Sequence, residues 1–242
     1  MTSSASDMSS LGFRPADSTA PPRRLIASIS GLEKSGKTDL ALTAPGPILF
    51  INVDKGTEGV VHKFASKDIW VYDVQKPPEG AGMAEWLPVY QELEKMLKRA
   101  FTYNEGTVVV DSHTEVYAIH RMARFGKLTQ IMPHKYTELN AENRALLRLA
   151  YDSDMSAVFL HRLKKRYVND NWDGISYDRD GYTSLEYDVQ VNARTLATPS
   201  PTGMGMDFSL QVLDCRQNPN IVGNYQRAIP GPEGNIPVFD FN

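Results

Sequence analysis

The run Gly31, Leu32, Glu33, Lys34, Ser35, Gly36, Lys37, Thr38 constrains this chain more than any other feature. It fits the pattern G-x-x-x-x-G-K-[ST] and stands in the setting that the pattern needs. Before it, residues 24–30 form an apolar, β-branched stretch that reads as a buried strand. After it, residues 37–44 read as a helix closed by Pro45 and Gly46. The glycines let backbone N–H groups turn inward, and the positive end of the helix adds to their field, so the loop predicts a cradle for phosphate. Lys37 would reach the β- and γ-phosphates of a nucleoside triphosphate such as ATP, and the Thr38 hydroxyl would bind Mg²⁺.

Such a loop needs a sheet around it, and the rest of the chain supplies one. Residues 48–54, 69–73, 107–111 and 157–161 read as strands. Between them, Trp86, Tyr90, Leu93, Leu97 and Phe101 recur at helical spacing, predicting an amphipathic helix over about residues 84–100. Two more helices are predicted near residues 115–125 and 137–151. Strands alternating with helices predict an α/β fold with a mainly parallel sheet covered on both faces. After His161 the pattern changes. Residues 166–195 mix aromatic, charged and turn-forming types, residues 207–216 give one more strand, and antiparallel hairpins added to the parallel core are expected. A Ser- and Pro-rich stretch over residues 1–23 predicts a flexible tail, residues 24–216 a single core, and residues 217–242 a C-terminal extension. The 242 residues would be cramped as two full domains.

A phosphate loop of this kind predicts a Mg²⁺-side carboxylate at the tip of another buried strand. Val108, Val109 and Val110 lead to Asp111 in that position, with Ser112 behind it; the plain alternative is that Asp111 caps the next helix. Hydrolysis also needs a group that orients or deprotonates water. Asp54, at the tip of the second strand, and Glu58, beyond it, are the two candidates; the alternative is a solvated turn around Gly56.

This succession of motifs resembles the ATPase core of RecA-type recombinases. Phe50 to Asp54 matches the strand ending in the acidic residue that activates water, with Asp in place of Glu. Val108 to Ser112 matches the Mg²⁺-side strand, which also ends in Val-Asp-Ser. At the end of the following strand, His161 or Arg162 matches the position that senses the γ-phosphate and passes the signal to a DNA-binding loop, where RecA uses an amide. The residues Gly56 to Val61, Val110 to Glu115 and His161 to Arg166 are most similar to small phage-encoded RecA-like ATPases of the single-strand-annealing type. The resemblance spans about residues 24–216. It implies an Mg²⁺-dependent ATPase stimulated by single-stranded DNA, acting in a host cytoplasm. The implied partners are the DNA, further copies of the chain in a ring or filament, and a single-strand-binding protein.

Two further segments bear on partners. Arg162, Lys164, Lys165 and Arg166 form the densest basic run, followed by Trp172, Tyr177 and Tyr182 on turn-rich ground. Cations with stackable rings suit single-stranded nucleic acid. The plain alternative is a solvated hairpin, diluted by Asp170, Asp173, Asp178 and Asp180. A net charge of −3 excludes a broadly basic nucleic-acid surface, so any contact must be a local patch such as Lys164, Lys165 and Arg166. Phe13 and Ala16 match the Phe-x-x-Ala element by which some RecA-type recombinases tether neighbouring subunits. No apolar run approaches the roughly 20 residues needed to cross a bilayer. The one cysteine, Cys215, excludes an intramolecular disulfide and reads as a small packed hydrophobe. His113, His120 and His134 lack metal-ligand spacing with cysteine and read as structural. Two rival functions stay open: a P-loop small-molecule kinase, and a nucleotide-switched scaffold or loader acting through protein partners.

Overall fold

Every residue of β1 (Ile26–Gly31) is buried, as a strand covered on both faces and paired on both edges must be. The structure, a computed structural model, describes residues 5–12, 24–127, 131–182, 184–201, 203, 205–227, 229–230 and 237–238. Phe13 and Ala16 lie outside the described residues.

The central sheet runs β3 (Ile69–Asp73), β2 (Ile48–Asn52), β4 (Thr107–Asp111), β5 (Ser156–Val168), β1, β7 (Val191–Pro199), β8 (Met206–Cys215) and β9 (Tyr225–Arg227). Pairings from β3 across to β7 are all parallel. The β7–β8 and β8–β9 pairings are antiparallel, and β6 (Asn171–Arg179) folds back on the far half of β5. The expected α/β class, a parallel core with antiparallel strands added on the C-terminal side, is what the structure has.

Alternate residues along the strands serve two apolar layers. Val108, Val110 and Phe159 point into one, with Leu93 and Phe101 of α3 (Met83–Phe101), Ile119 of α4 (His113–Phe125) and Leu147 of α5 (Pro133–Tyr151). Val109, Val158 and Leu160 point into the other, with Ile29, Phe50, Phe64 and Leu40 of α2 (Lys37–Leu42). Each fully buried Leu, Ile or Phe contributes about 1.5–3 kcal/mol relative to exposure. A short helix α1 (Ala5–Ser10) stands before the core. Among the described residues no helix is long and apolar enough to cross a membrane.

Two departures from the sequence reading matter for the site. β5 does not stop at His161 but runs to Val168, so the basic run lies on a strand whose outer half pairs with β6. And β7, read as part of the antiparallel addition, is parallel to β1. Gln190 explains the second: its side-chain oxygen accepts a 2.8 Å bond from Ile26 N, and its own N–H donates to Ile26 O. That two-way grip lays β7 beside β1 after the single turn of α6 (Leu185–Asp188). Polar residues buried in β7, Asn192 and Thr195, hide its central position from a hydrophobic pattern.

Candidate phosphate-binding site

The carboxyl ends of β1, β2 and β4 and the middle of β5 meet along one edge of the sheet, where open α/β folds hold ligands. Beyond β1 the loop turns through Gly36, whose φ of +85° leads directly into α2. Lys37 doubles back, its Nζ donating to the Gly31 carbonyl at 3.0 Å and the Leu32 carbonyl at 2.7 Å. Ser35 Oγ donates to Leu32 O at 2.7 Å and lies 2.7 Å from the Thr195 hydroxyl on β7. The loop is thus fixed from within and from the neighbouring strand. Burial pushes the Lys37 ammonium below its ordinary pKa, against the carboxylates of Asp111 and Asp54.

Thr38 Oγ1 donates to Asp111 Oδ2 at 2.7 Å, joining the first turn of α2 to the tip of β4. Burial pushes the Asp111 carboxyl above the usual range, with the Thr38 hydrogen bond acting the other way. Gly56 is packed so closely that a Cβ there would lie 2.6 Å from Asp111 Oδ2. Ser112 caps α4 by accepting from Glu115 N, so it is the serine, one residue later, that fills the cap role considered for Asp111. A hydroxyl beside a buried carboxyl is a pair of hard oxygen donors, which fits Mg²⁺. Among the described residues no cluster of three His, Cys, Asp or Glu side chains converges. A cation there would complete its shell from phosphate and water, as Mg²⁺ does in such sites.

Asp54 follows β2, and the N–H groups of Val53 and Asp54 both donate to Asp111 O, at 2.6 and 3.0 Å. Asp54 and Asp111 are therefore brought together by backbone bonds. Arg162 grips the Asp54 carboxylate with two nitrogens, Nη2 at 2.9 Å from Oδ1 and Nε at 3.2 Å from Oδ2. Glu58 is exposed and borders a cleft with Asn52, Thr57 and Asp73 that shares Lys55, Val74 and Gln75 with the cleft beside Asp54. His161 is fully buried, its ring 5.2 Å from that of His113 and on the opposite side of β5 from Arg162 by strand alternation. Burial lowers the pKa of His113 to about 3 and that of His161 well below the ordinary histidine value. Of the two sensor candidates, Arg162 is the one that reaches Asp54.

An open cleft of about 440 Å³ lies over the loop, lined by residues 34–39 together with Gly56, Val60, Lys63 and Phe208. Phe208, on β8, is the residue that the sequence reading missed. It belongs to no motif, and only the β7–β8 pairing carries its ring to the loop.

The basic hairpin continues outward from this edge along β5. Lys164 Nζ lies 3.5 Å from Asp180, Arg166 Nε lies 4.0 Å from Asp178, and Lys165 Nζ sits 4.2 Å above the Trp172 ring. Tyr167, Val168 and Ile175 are exposed on it.

No family model matches the chain, and no curated protein matches it. Among solved structures it is similar to a KaiC-like protein from the hyperthermophilic archaeon Pyrococcus horikoshii, with a TM-score of 0.51 and 11% identity over 87% of each chain. At that identity the likeness bears on fold alone, and the fold is RecA-like.

Proposed function

We propose that the chain binds and hydrolyses ATP with Mg²⁺ and acts on single-stranded DNA, as a phage-type RecA-like protein of recombination or annealing that works as a homo-oligomer. The observation that carries the ATPase part is the 2.7 Å bond from Thr38 to Asp111 at the mouth of the Lys37 loop, with Asp54 tied to the same strand end. In this reading residues 31–38 and Lys37 cradle the phosphates, and Thr38 and Asp111 hold the metal, which offsets phosphate charge when bound. Phe208 offers an apolar ring at the side of the cleft for the base. Asp54 orients a water and takes its proton. The water oxygen forms a bond to the γ-phosphorus while the bond to the bridging oxygen breaks, leaving ADP and phosphate. The backbone bonds from Val53 and Asp54 to Asp111 O hold Asp54 at the metal-side strand end, and this favours Asp54 over Glu58 as the base.

One observation favours a second reading, the nucleotide-switched scaffold. Lys164, Lys165 and Arg166 each already have an acidic or aromatic partner within the hairpin, which leaves its exposed Tyr167, Val168 and Ile175 as the more distinctive surface. Measuring ATP turnover with and without single-stranded DNA separates the readings. Turnover that rises with DNA supports the recombination reading. DNA-independent turnover without DNA affinity would point to a kinase, and ATP binding with negligible turnover to the scaffold.

A further inference from the structure

The Arg162 guanidinium is shared. Besides gripping Asp54, it donates through Nη1 to Glu115 Oε1 at 2.8 Å, and Glu115 Oε2 in turn accepts from Lys76 Nζ at 2.7 Å. The four side chains come from four places: the end of β2, the middle of β5, the first turn of α4 and the segment after β3. Charges alternate along the row, so strengthening one link draws Arg162 away from the next. Arg162 also has room to shift, because its side chain is 47% exposed and faces a cleft of about 330 Å³ lined by Asp54, Gln75, Lys76 and Glu115. The backbone of Arg162, by contrast, is fixed: its N–H donates to Thr114 Oγ1 at 3.0 Å and its carbonyl accepts from Asp180 N at 2.9 Å.

We propose that Glu115 and Lys76 are positioning residues that set how firmly Arg162 holds Asp54, and thereby how available Asp54 is to water. The proposal rests on the reading of Asp54 as the hydrolytic base. Two guanidinium nitrogens take two of the about four lone-pair positions of a carboxylate and favour its charged form, so the firmer the grip, the weaker Asp54 is as a proton acceptor for water. Lys76 competes with Arg162 for Glu115, and Glu115 competes with Asp54 for Arg162.

The row predicts effects of opposite sign from two residues that lie outside the phosphate cleft. Lys76→Gln leaves Glu115 wholly to Arg162 and frees Asp54, so kcat for ATP rises, by about threefold for a partly exposed pair. Glu115→Gln leaves Arg162 wholly to Asp54, so kcat falls by about the same factor. The double variant behaves as Glu115→Gln alone, because Lys76 acts only through Glu115, and KM is unchanged throughout. Steady-state hydrolysis by the full chain with Mg²⁺ reads these values, with thermal midpoints as a check on folding and Glu115→Asp as the rescue. Lys76→Gln decides the matter alone if Glu115→Gln does not fold. If Asp54→Asn hydrolyses ATP at the native rate, the premise fails. If Asp54→Asn is slow but Lys76→Gln leaves kcat unchanged or lowers it, the positioning role is overturned and the base assignment survives.

Discussion

The loop at residues 31–38 and the hairpin of outer β5 with β6 both carry lysines, but they treat them in opposite ways. Lys37 is half-buried and bonded to two backbone carbonyls. Lys164 and Arg166 are more than half exposed and face aspartates across a two-stranded ribbon. The first arrangement fixes a charge where a ligand must find it, and desolvation makes each contact count. The second holds its charges in water, where a pair contributes about 0–1 kcal/mol and salt screens it. Placement, rather than residue type, separates a chemical site from an adaptable surface.

The sharpest test of that contrast lies at the cleft. Asp54→Asn should bind ATP but hydrolyse it about 10²–10⁴-fold more slowly, the usual worth of general-base help. If single-turnover measurements show that loss for Glu58→Gln and not for Asp54→Asn, the base is misassigned. Lys37→Ala should weaken ATP binding about 10–100-fold, as loss of a charge-assisted hydrogen bond does, and calorimetric titration with Mg²⁺ present will read it.

Beneath the cleft, His113 and His161 extend the comparison to protonation. Burial keeps both neutral in the folded protein, His113 with a pKa of about 3, helped by the nearby Arg179 cation. In the unfolded chain both gain protons below about pH 6.5. The unfolded state therefore binds more protons between about pH 6.5 and 3, so stability is full above that window and declines as pH falls through it. At pH 5 His113 should remove about 2 kcal/mol, and His161 adds to the loss in the same direction. A urea midpoint that is the same at pH 7 and pH 5 would count against a buried neutral pair.

The smallest effect belongs to the hairpin. Replacing Lys164, Lys165 and Arg166 together by Ala should change stability by no more than about 1 kcal/mol. If the hairpin holds single-stranded DNA, the same variant lowers the log–log salt slope by about 0.7 for each phosphate that it no longer neutralises. An unaltered slope in a salt titration would leave the surface to protein partners.

What the sequence made legible follows from the range of the interactions. The phosphate loop, Asp111 and Asp54 were readable because strand, turn and helix signals lie within a few residues of each. The grip of Arg162 on Asp54 joins positions 108 residues apart, and no local pattern encodes it. Phe208 reaches the loop only because Gln190 lays β7 beside β1 and β8 then pairs with β7. The tether proposed at Phe13 and Ala16 concerns positions outside the described residues. A lighter oligomer from Phe13→Glu in light scattering would support it, and an unchanged mass would remove it.

β1 is hydrogen-bonded along both edges, by β5 and by β7, and carries the phosphate loop at its tip. In deuterium exchange, amides of residues 26–31 should therefore open only with the whole molecule. The loop amides that follow have no such ladder, and their protection will track occupancy by nucleotide. One labelling experiment can thus time ligand arrival at residues 32–36 against an internal clock set by residues 26–31. A ligand that slows both groups is bound at the loop, whereas one that slows residues 26–31 alone has stabilised the fold from elsewhere.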